Sequence, residues 1–169
     1  VQMWKELGAT RVVAAREVSL ADLKEMKDNV DIEIESFVHG SMCISYSGRC
    51  LLSNYMTGNR DANRGQCSQS CRWKYSLVES NRPGEYYPIE EDEHGTYIFN
   101  SKDLCLIHRI PDLYEAGIDS LKIEGRMKSV HYCATVAKVY RTAIDTYLKE
   151  GKDWYVRPEW IAELEKISH

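Results

Sequence analysis

The stretch "VDIEIESFVHG", residues 30 to 40, constrains the fold most. Ile32, Ile34 and Val38 fall on one parity and Glu33, Glu35, Phe37 and His39 on the other, the period-two pattern of a strand with two unlike faces. "RVVAARE" (11 to 17) and "DSLKIEG" (119 to 125) give two more strand signals, and in the latter Lys122 and Glu124 oppose Leu121 and Ile123. Helical patterns alternate with them. "SLADLKEMKD" follows the first strand, with Ser19 as N-cap and an acid three residues on, the capping-box signature. Residues 129 to about 149 carry apolar residues at helical spacing, with Gly151 just beyond. Strands separated by helices predict an α/β fold with a parallel sheet. Such sheets are usually apolar on both faces, so a polar face points to a closed barrel whose interior collects binding groups at the carboxyl ends of strands. Arg16, Glu17, Glu35, His39, Glu124 and Arg126 stand at such ends. An open sheet with these groups in water is the alternative.

Two interruptions break the alternation. Residues 41 to 75 have little apolar periodicity but hold four cysteines with Gly48, Gly58 and Gly65, which reads as a long functional excursion. Residues 86 to 99, "YYPIEEDEHGTYIF", read as an inserted β-hairpin with aromatic arms and an acidic tip. Residues 1 to 150 then form the main domain and 151 to 169 a helical C-terminal extension. The chain opens on Val1 inside a helical stretch, with no initiator Met, and reads as a piece of a longer protein.

Its 169 residues, 43% hydrophobic, suffice for one sizeable core. No apolar run reaches the length of a membrane span and the N-terminus lacks a signal-peptide pattern. A cytoplasmic protein without membrane association is the expectation, its six cysteines reduced, metal-bound or reactive. The net charge of −4 excludes a strongly basic nucleic-acid coat, yet Arg49, Arg60, Arg64, Arg72 and Lys74 against the single acid Asp61 place +4 between residues 49 and 74. A local basic patch suits one anionic partner bound at one place; a solvated loop face is the plain alternative.

Cys43, Cys50, Cys67 and Cys71 follow the spacing C-x6-C-x16-C-x3-C, with Cys105 and Cys133 beyond. Soft thiolates gathered in one place select zinc or an iron-sulfur cluster. Zinc ribbons generally use tighter knuckles, so the spacing leans away from structural zinc. Cys67 and Cys71 would share a face if "CSQSCRW" were helical, and Cys133, mid-helix, reads as a core cysteine.

Glu35-x-Phe37-x-x-Gly40-Ser41-Met42-Cys43 followed by Gly48-x-Cys50-x-x-Ser53 resembles the signature of peptidase family U32, the collagenase-like peptidases. "RGQCSQSCRWKY", "FNSKDLC" and "LKIEGRMKS" are also similar to that family, so the resemblance covers nearly the whole chain. It implies the carboxyl-terminal part of a TIM-barrel-like catalytic domain. The residues do not look like a peptidase site: there is no H-E-x-x-H or G-x-S-x-G, and a cysteine protease needs one activated thiol beside a histidine. The better-understood relatives are oxygen-independent hydroxylases, and the resemblance implies an enzyme that hydroxylates a tRNA uridine with prephenate as co-substrate. It implies a 4Fe-4S cluster on Cys43, Cys50, Cys67 and Cys105, with Cys71 as the alternative fourth ligand. Glu35, His39 and Glu124 become candidates for proton handling. Arg72, Arg126 and Lys128 become candidates for the donor's carboxylates, since guanidinium forks pair with carboxylates. Arg60 and Arg64 become candidates for the RNA phosphates. A paired homologue is a possible partner. The competing expectations are a collagenase-like metallopeptidase and a non-enzymatic module held by zinc. Taken alone, the chain is expected to be inactive, because a barrel-end site draws on more strands than are readable here.

Overall fold

A computed structural model describes residues 1–73, 75–88 and 103–167. In chain order the elements are α1 (Gln2–Glu6), β1 (Arg11–Val13), α2 (Leu20–Asn29), β2 (Glu33–Gly40), α3 (Leu52–Thr57), β3 (Ser76–Leu77), β4 (Tyr87–Pro88), β5 (Leu104–Cys105), α4 (Ile110–Glu115), β6 (Ser120–Glu124), α5 (Val130–Glu150) and α6 (Pro158–Glu165). The chain divides into two compact units, Val1–Met42 with Lys102–His169, and Cys43–Ser101.

The first unit is the α/β body. β2 is its central strand, pairing parallel with β1 on one edge and with β6 on the other. β6 occupies its edge of β2 as far as Gly40, so β5, antiparallel to His39 and Gly40, continues the edge that β1 leaves. The expected alternation of strand and helix is therefore present, with a parallel sheet at its centre. α2 starts where its sequence dictates: Asp22 N–H donates to Ser19 Oγ at 3.1 Å and Ser19 N–H to Asp22 Oδ2 at 3.3 Å, a reciprocal cap of a kind that contributes about 1 kcal/mol. Ser129 caps α5 likewise, through Tyr132 N–H at 3.1 Å.

Two clusters form the core. Val38, Ile107, Leu113, Val136, Tyr140, Ala143, Trp160 and Leu164 close one face of the sheet under α4, α5 and α6. Leu23, Ile32 and Ile34 form the other, beside α2. Fully buried side chains such as Ile34 and Leu113 each contribute about 1.5–3 kcal/mol relative to exposure. α6 belongs to this core through Trp160 and Leu164.

Three expectations are corrected by the backbone. β1 ends at Val13 rather than continuing to residue 17, so Arg16 and Glu17 lie in a turn, with the Arg16 guanidinium over the Phe37 ring at 3.8 Å. "CSQSCRW" is not an α-helix: only Ser70–Arg72 forms a short 3-10 turn, entered through Gln69 with φ of 53°. The left-handed residue breaks helical phase, so Cys67 and Cys71 do not share a helix face. The third correction is on β2. Phe37 pairs with Lys122 and His39 with Ile123, so Val38 is the extra residue of a bulge, which reverses the facing of the residues after it. His39 leaves the polar parity and turns to the helix side, 2% exposed, its ring 5.9 Å from Tyr132 and 5.4 Å from Tyr140. Of the hairpin read at 86 to 99, β4 pairs antiparallel with β3 and the rest lies outside the described residues. Among the described residues no helix is long and apolar enough to cross a membrane.

Candidate functional site

The polar face of the α/β body is built by strand register. Glu35 lies opposite Ser120 in β6, and the face continues through Phe37 beside Lys122 and Gly40 beside Glu124. The Glu35 carboxylate accepts from Lys122 Nζ at 2.6 Å, from Ser120 Oγ at 2.9 Å and from Arg11 at 3.5 Å. The Lys122 hydrogen bond, more than any other influence, holds its pKa below the usual carboxylate range. Glu35 is therefore an ionised anchor rather than a proton donor at neutral pH. Glu124 caps the turn after its own strand, accepting Arg126 N–H at 2.9 Å.

The close packing of β2 on β6 needs a glycine. Gly40 has φ of +106°, and a Cβ there would overlap the Glu124 carbonyl oxygen, so no other residue fits this crossing.

On the opposite face, Tyr140 Oη organises the bulge. It donates to the Val38 carbonyl at 2.8 Å, accepts Leu106 N–H at 3.0 Å and stands 3.3 Å from His39 Nδ1. With its own proton committed to Val38, the hydroxyl oxygen receives His39 Nδ1–H, which leaves Nε2 as a lone pair; Nε2 is buried without a partner. Burial pushes the His39 pKa down, opposed by Asp103 and reinforced by Lys128. Lys128 is committed elsewhere: its Nζ lies 2.8 Å from Asp103 Oδ2, which also accepts Tyr132 Oη–H at 2.8 Å. That ion pair is largely buried, which removes Lys128 from the cations open to a substrate. Arg126 is exposed. Cys105 Sγ is exposed and 4.0 Å from Tyr140 Oη. Cys133 is half-buried against the core, its Sγ 3.6 Å from the Gly125 carbonyl.

The second unit carries the other four cysteines, all free thiols. Cys43 is exposed, and Cys50, Cys67 and Cys71 are half-buried. Cys67 Sγ already accepts a hydrogen bond, from Gln69 N–H at 3.3 Å, across the left-handed turn. Burial pushes the Cys71 thiol up, Arg72 lowers it, and Cys43, Cys67 and Cys50 each raise it, so Cys71 lies within the field of the other three. Ser53, on α3, fixes the neighbouring segment: its Oγ accepts Ser68 N–H and meets Ser68 Oγ, both at 3.0 Å. Among the described residues no three His, Cys, Asp or Glu side chains close on a single metal ion. Cysteine thiols within electrostatic reach of Cys71 are a donor set of the kind that zinc and iron-sulfur clusters both take.

Arg60 is exposed but engaged with the backbone of its own loop. Its Nε donates to the Gln66 carbonyl at 3.1 Å and its Nη2 to the Cys67 carbonyl at 3.4 Å. Arg64 is 85% exposed on its side chain and only loosely paired with Asp61, at 3.7 Å. Asp103, Tyr132, Tyr140, Asn63 and Ser68 were not marked by sequence reasoning. Ser53 carried a signal, since it closes the Gly48-x-Cys50-x-x-Ser53 motif.

The sequence profile of peptidase family U32 matches residues 1–169. The chain belongs to peptidase family U32. Within U32 it is 53% identical over 169 residues to tRNA hydroxylation protein P1 of Bacillus subtilis, covering 100% of this chain and 40% of that protein. It is 43% identical over 185 aligned residues to tRNA hydroxylation protein P of Escherichia coli, with 86% of this chain and 41% of the relative covered. A 23S rRNA 5-hydroxycytidine synthase of Escherichia coli is 36% identical over 148 residues, covering 88% of this chain and 21% of the synthase. This U32 chain thus spans about two fifths of the length of the first two relatives. No solved structure gave a significant match.

Proposed function

We propose that this chain is part of an iron-sulfur enzyme that hydroxylates a uridine of tRNA, using prephenate as co-substrate. The observation that carries the reading is the grouping of Cys43, Cys50 and Cys67 in one compact unit, with Cys67 Sγ already hydrogen-bonded as an acceptor, in a chain 53% identical to a tRNA hydroxylation protein. In this reading the three parallel strands are the carboxyl-terminal part of a TIM-barrel-like domain.

Cys43, Cys50 and Cys67 hold a 4Fe-4S cluster, which when bound supplies one-electron chemistry. Cys105 is the fourth ligand rather than Cys71. The Cys105 thiol is exposed and faces the Tyr140 hydroxyl, whereas Cys71 is half-buried. Glu35 anchors the polar strand face through Lys122 and Arg11. His39 is buried on the helix side beside Tyr132 and Tyr140, so it supports the strand end rather than meeting the substrate. Arg126 is the exposed cation suited to a donor carboxylate.

The test uses the full-length protein, purified without oxygen, and tRNA from cells lacking it. A brown protein with iron and sulfide that restores uridine hydroxylation only with prephenate supports the reading. A colourless zinc protein, or peptide cleavage lost on chelation, moves it to the zinc module or the metallopeptidase.

A further inference from the structure

The loop "RDANRGQ", residues 60 to 66, joins α3 to the Cys67 segment and contains no cysteine. It nevertheless grips the backbone of two of them. Asn63 Nδ2 donates to the Cys50 carbonyl at 3.1 Å. Arg60 donates through Nε to Gln66 O and through Nη2 to Cys67 O. The loop is itself preset: Asp61 caps its short 3-10 turn by accepting Asn63 N–H at 2.9 Å, Gly65 ends it with φ of +78°, and Arg60 N–H bonds Thr57 Oγ1 at 3.1 Å. Cys50 and Cys67 are 17 positions apart, and this loop is the short route by which one rigid turn touches both.

We propose that Arg60 and Asn63 are positioning residues that latch Cys50 and Cys67 in register for the cluster, and that the Arg60 charge also tunes its reduction potential. The proposal rests on the cluster reading above. Carbonyl acceptors on both ligand residues fix where their Cα–Cβ bonds start, and so limit the freedom that ligand sulfurs otherwise lose on binding metal. A guanidinium held against the Cys67 backbone, with Gln69 N–H on the Cys67 sulfur, offsets the negative charge of a reduced cluster. Lys and Gln at position 60 separate the two effects: lysine keeps the charge but lacks the fork that reaches two carbonyls at once, and glutamine loses the charge.

The experiment is anaerobic reconstitution of the full-length protein as wild type, Arg60→Lys, Arg60→Gln, Asn63→Asp and Cys67→Ser. Iron release to a chelator and the cluster's reduction potential are then measured, with near-ultraviolet circular dichroism to select folded samples. Asn63→Asp keeps shape but replaces the donor facing Cys50 with an acceptor. The latch predicts release about tenfold faster in Asn63→Asp and in both Arg60 variants. It also predicts a more negative potential in Arg60→Gln but a nearly unchanged one in Arg60→Lys. Wild-type release rates in folded Asn63→Asp and Arg60→Gln, with iron lost only in Cys67→Ser, overturn the latch and leave the cluster reading intact. Full iron in Cys67→Ser overturns the cluster reading itself.

Discussion

The hydroxyl of Tyr140 donates to the carbonyl of Val38 at 2.8 Å, pinning from the middle of α5 the extra residue of the β2 bulge. The same oxygen accepts Leu106 N–H and faces His39 Nδ1. One phenol therefore satisfies three groups at the point where the central strand changes facing.

Tyr140→Phe keeps the ring packing and removes only these bonds. Leu106 N–H also donates to the Val38 carbonyl at 2.9 Å, so neither backbone group is left without a partner and the expected loss is about 1–2 kcal/mol. Urea unfolding of the full-length protein measures it. A loss below about 0.5 kcal/mol would mean that the bulge is held by strand pairing alone.

Gly40→Ala should be far worse than Gly48→Ala, although both glycines have positive φ. A Cβ at Gly40 strikes the Glu124 backbone, whereas one at Gly48 meets nothing within 4 Å. Alanine at position 48 should cost about 1–2 kcal/mol for its left-handed backbone. Alanine at position 40 must also part β2 from β6, and should leave little soluble folded protein. Equal solubility and equal unfolding midpoints would contradict the crossing.

Much of this body was legible in the sequence because its signals are local. The Ser19 to Asp22 box, the Ser129 cap and Gly151 each act within four residues of the helix end they fix. The alternation of Ile32, Ile34 and Glu33, Glu35 holds because nothing disturbs strand register there. His39 was misplaced because a bulge arises from pairing with β6, more than eighty residues downstream, and parity counted along one strand cannot register it. Arg60 carries no local mark of its backbone contacts either, since its targets are carbonyls brought round by the turn at Gly65. The Lys128 to Asp103 pair likewise joins residues that only the tertiary fold brings together.

The Glu35 carboxylate gives a pH dependence of known sign. Its folded pKa lies below the usual value, chiefly through Lys122, so its stabilising contribution is complete above the unfolded pKa of about 4.3 and is lost as pH falls through the folded value. Glu35→Gln should cost about 1 kcal/mol at neutral pH, a modest figure because Lys122 is partly exposed. It should also flatten the fall in stability below about pH 5. Parallel pH profiles for wild type and Glu35→Gln would show that the pair contributes nothing.

On the proposed reading, the RNA is held by an aromatic and basic surface of the second unit. Tyr55 and Tyr46 are 84% and 77% exposed, and Arg49 and Arg64 are exposed cations in the same unit. Unpaired bases stack on such rings while arginines meet phosphates. Because Arg60 is occupied, the informative reversal is Arg49→Glu with Arg64→Glu. It should weaken tRNA binding by the full-length protein and lower the salt slope by about 2. An unchanged slope would remove this surface from the account.

The most direct test is the iron and sulfide content of the anaerobically reconstituted full-length protein carrying single serine substitutions at each of the six cysteines. Serine replaces a soft thiolate with a hydroxyl that does not hold iron. The account predicts loss of the cluster in Cys43→Ser, Cys50→Ser, Cys67→Ser and Cys105→Ser, and its retention in Cys71→Ser and Cys133→Ser. Loss with Cys71→Ser and retention with Cys105→Ser would show the fourth ligand to be Cys71, and full iron in all six variants would contradict the iron-sulfur enzyme altogether.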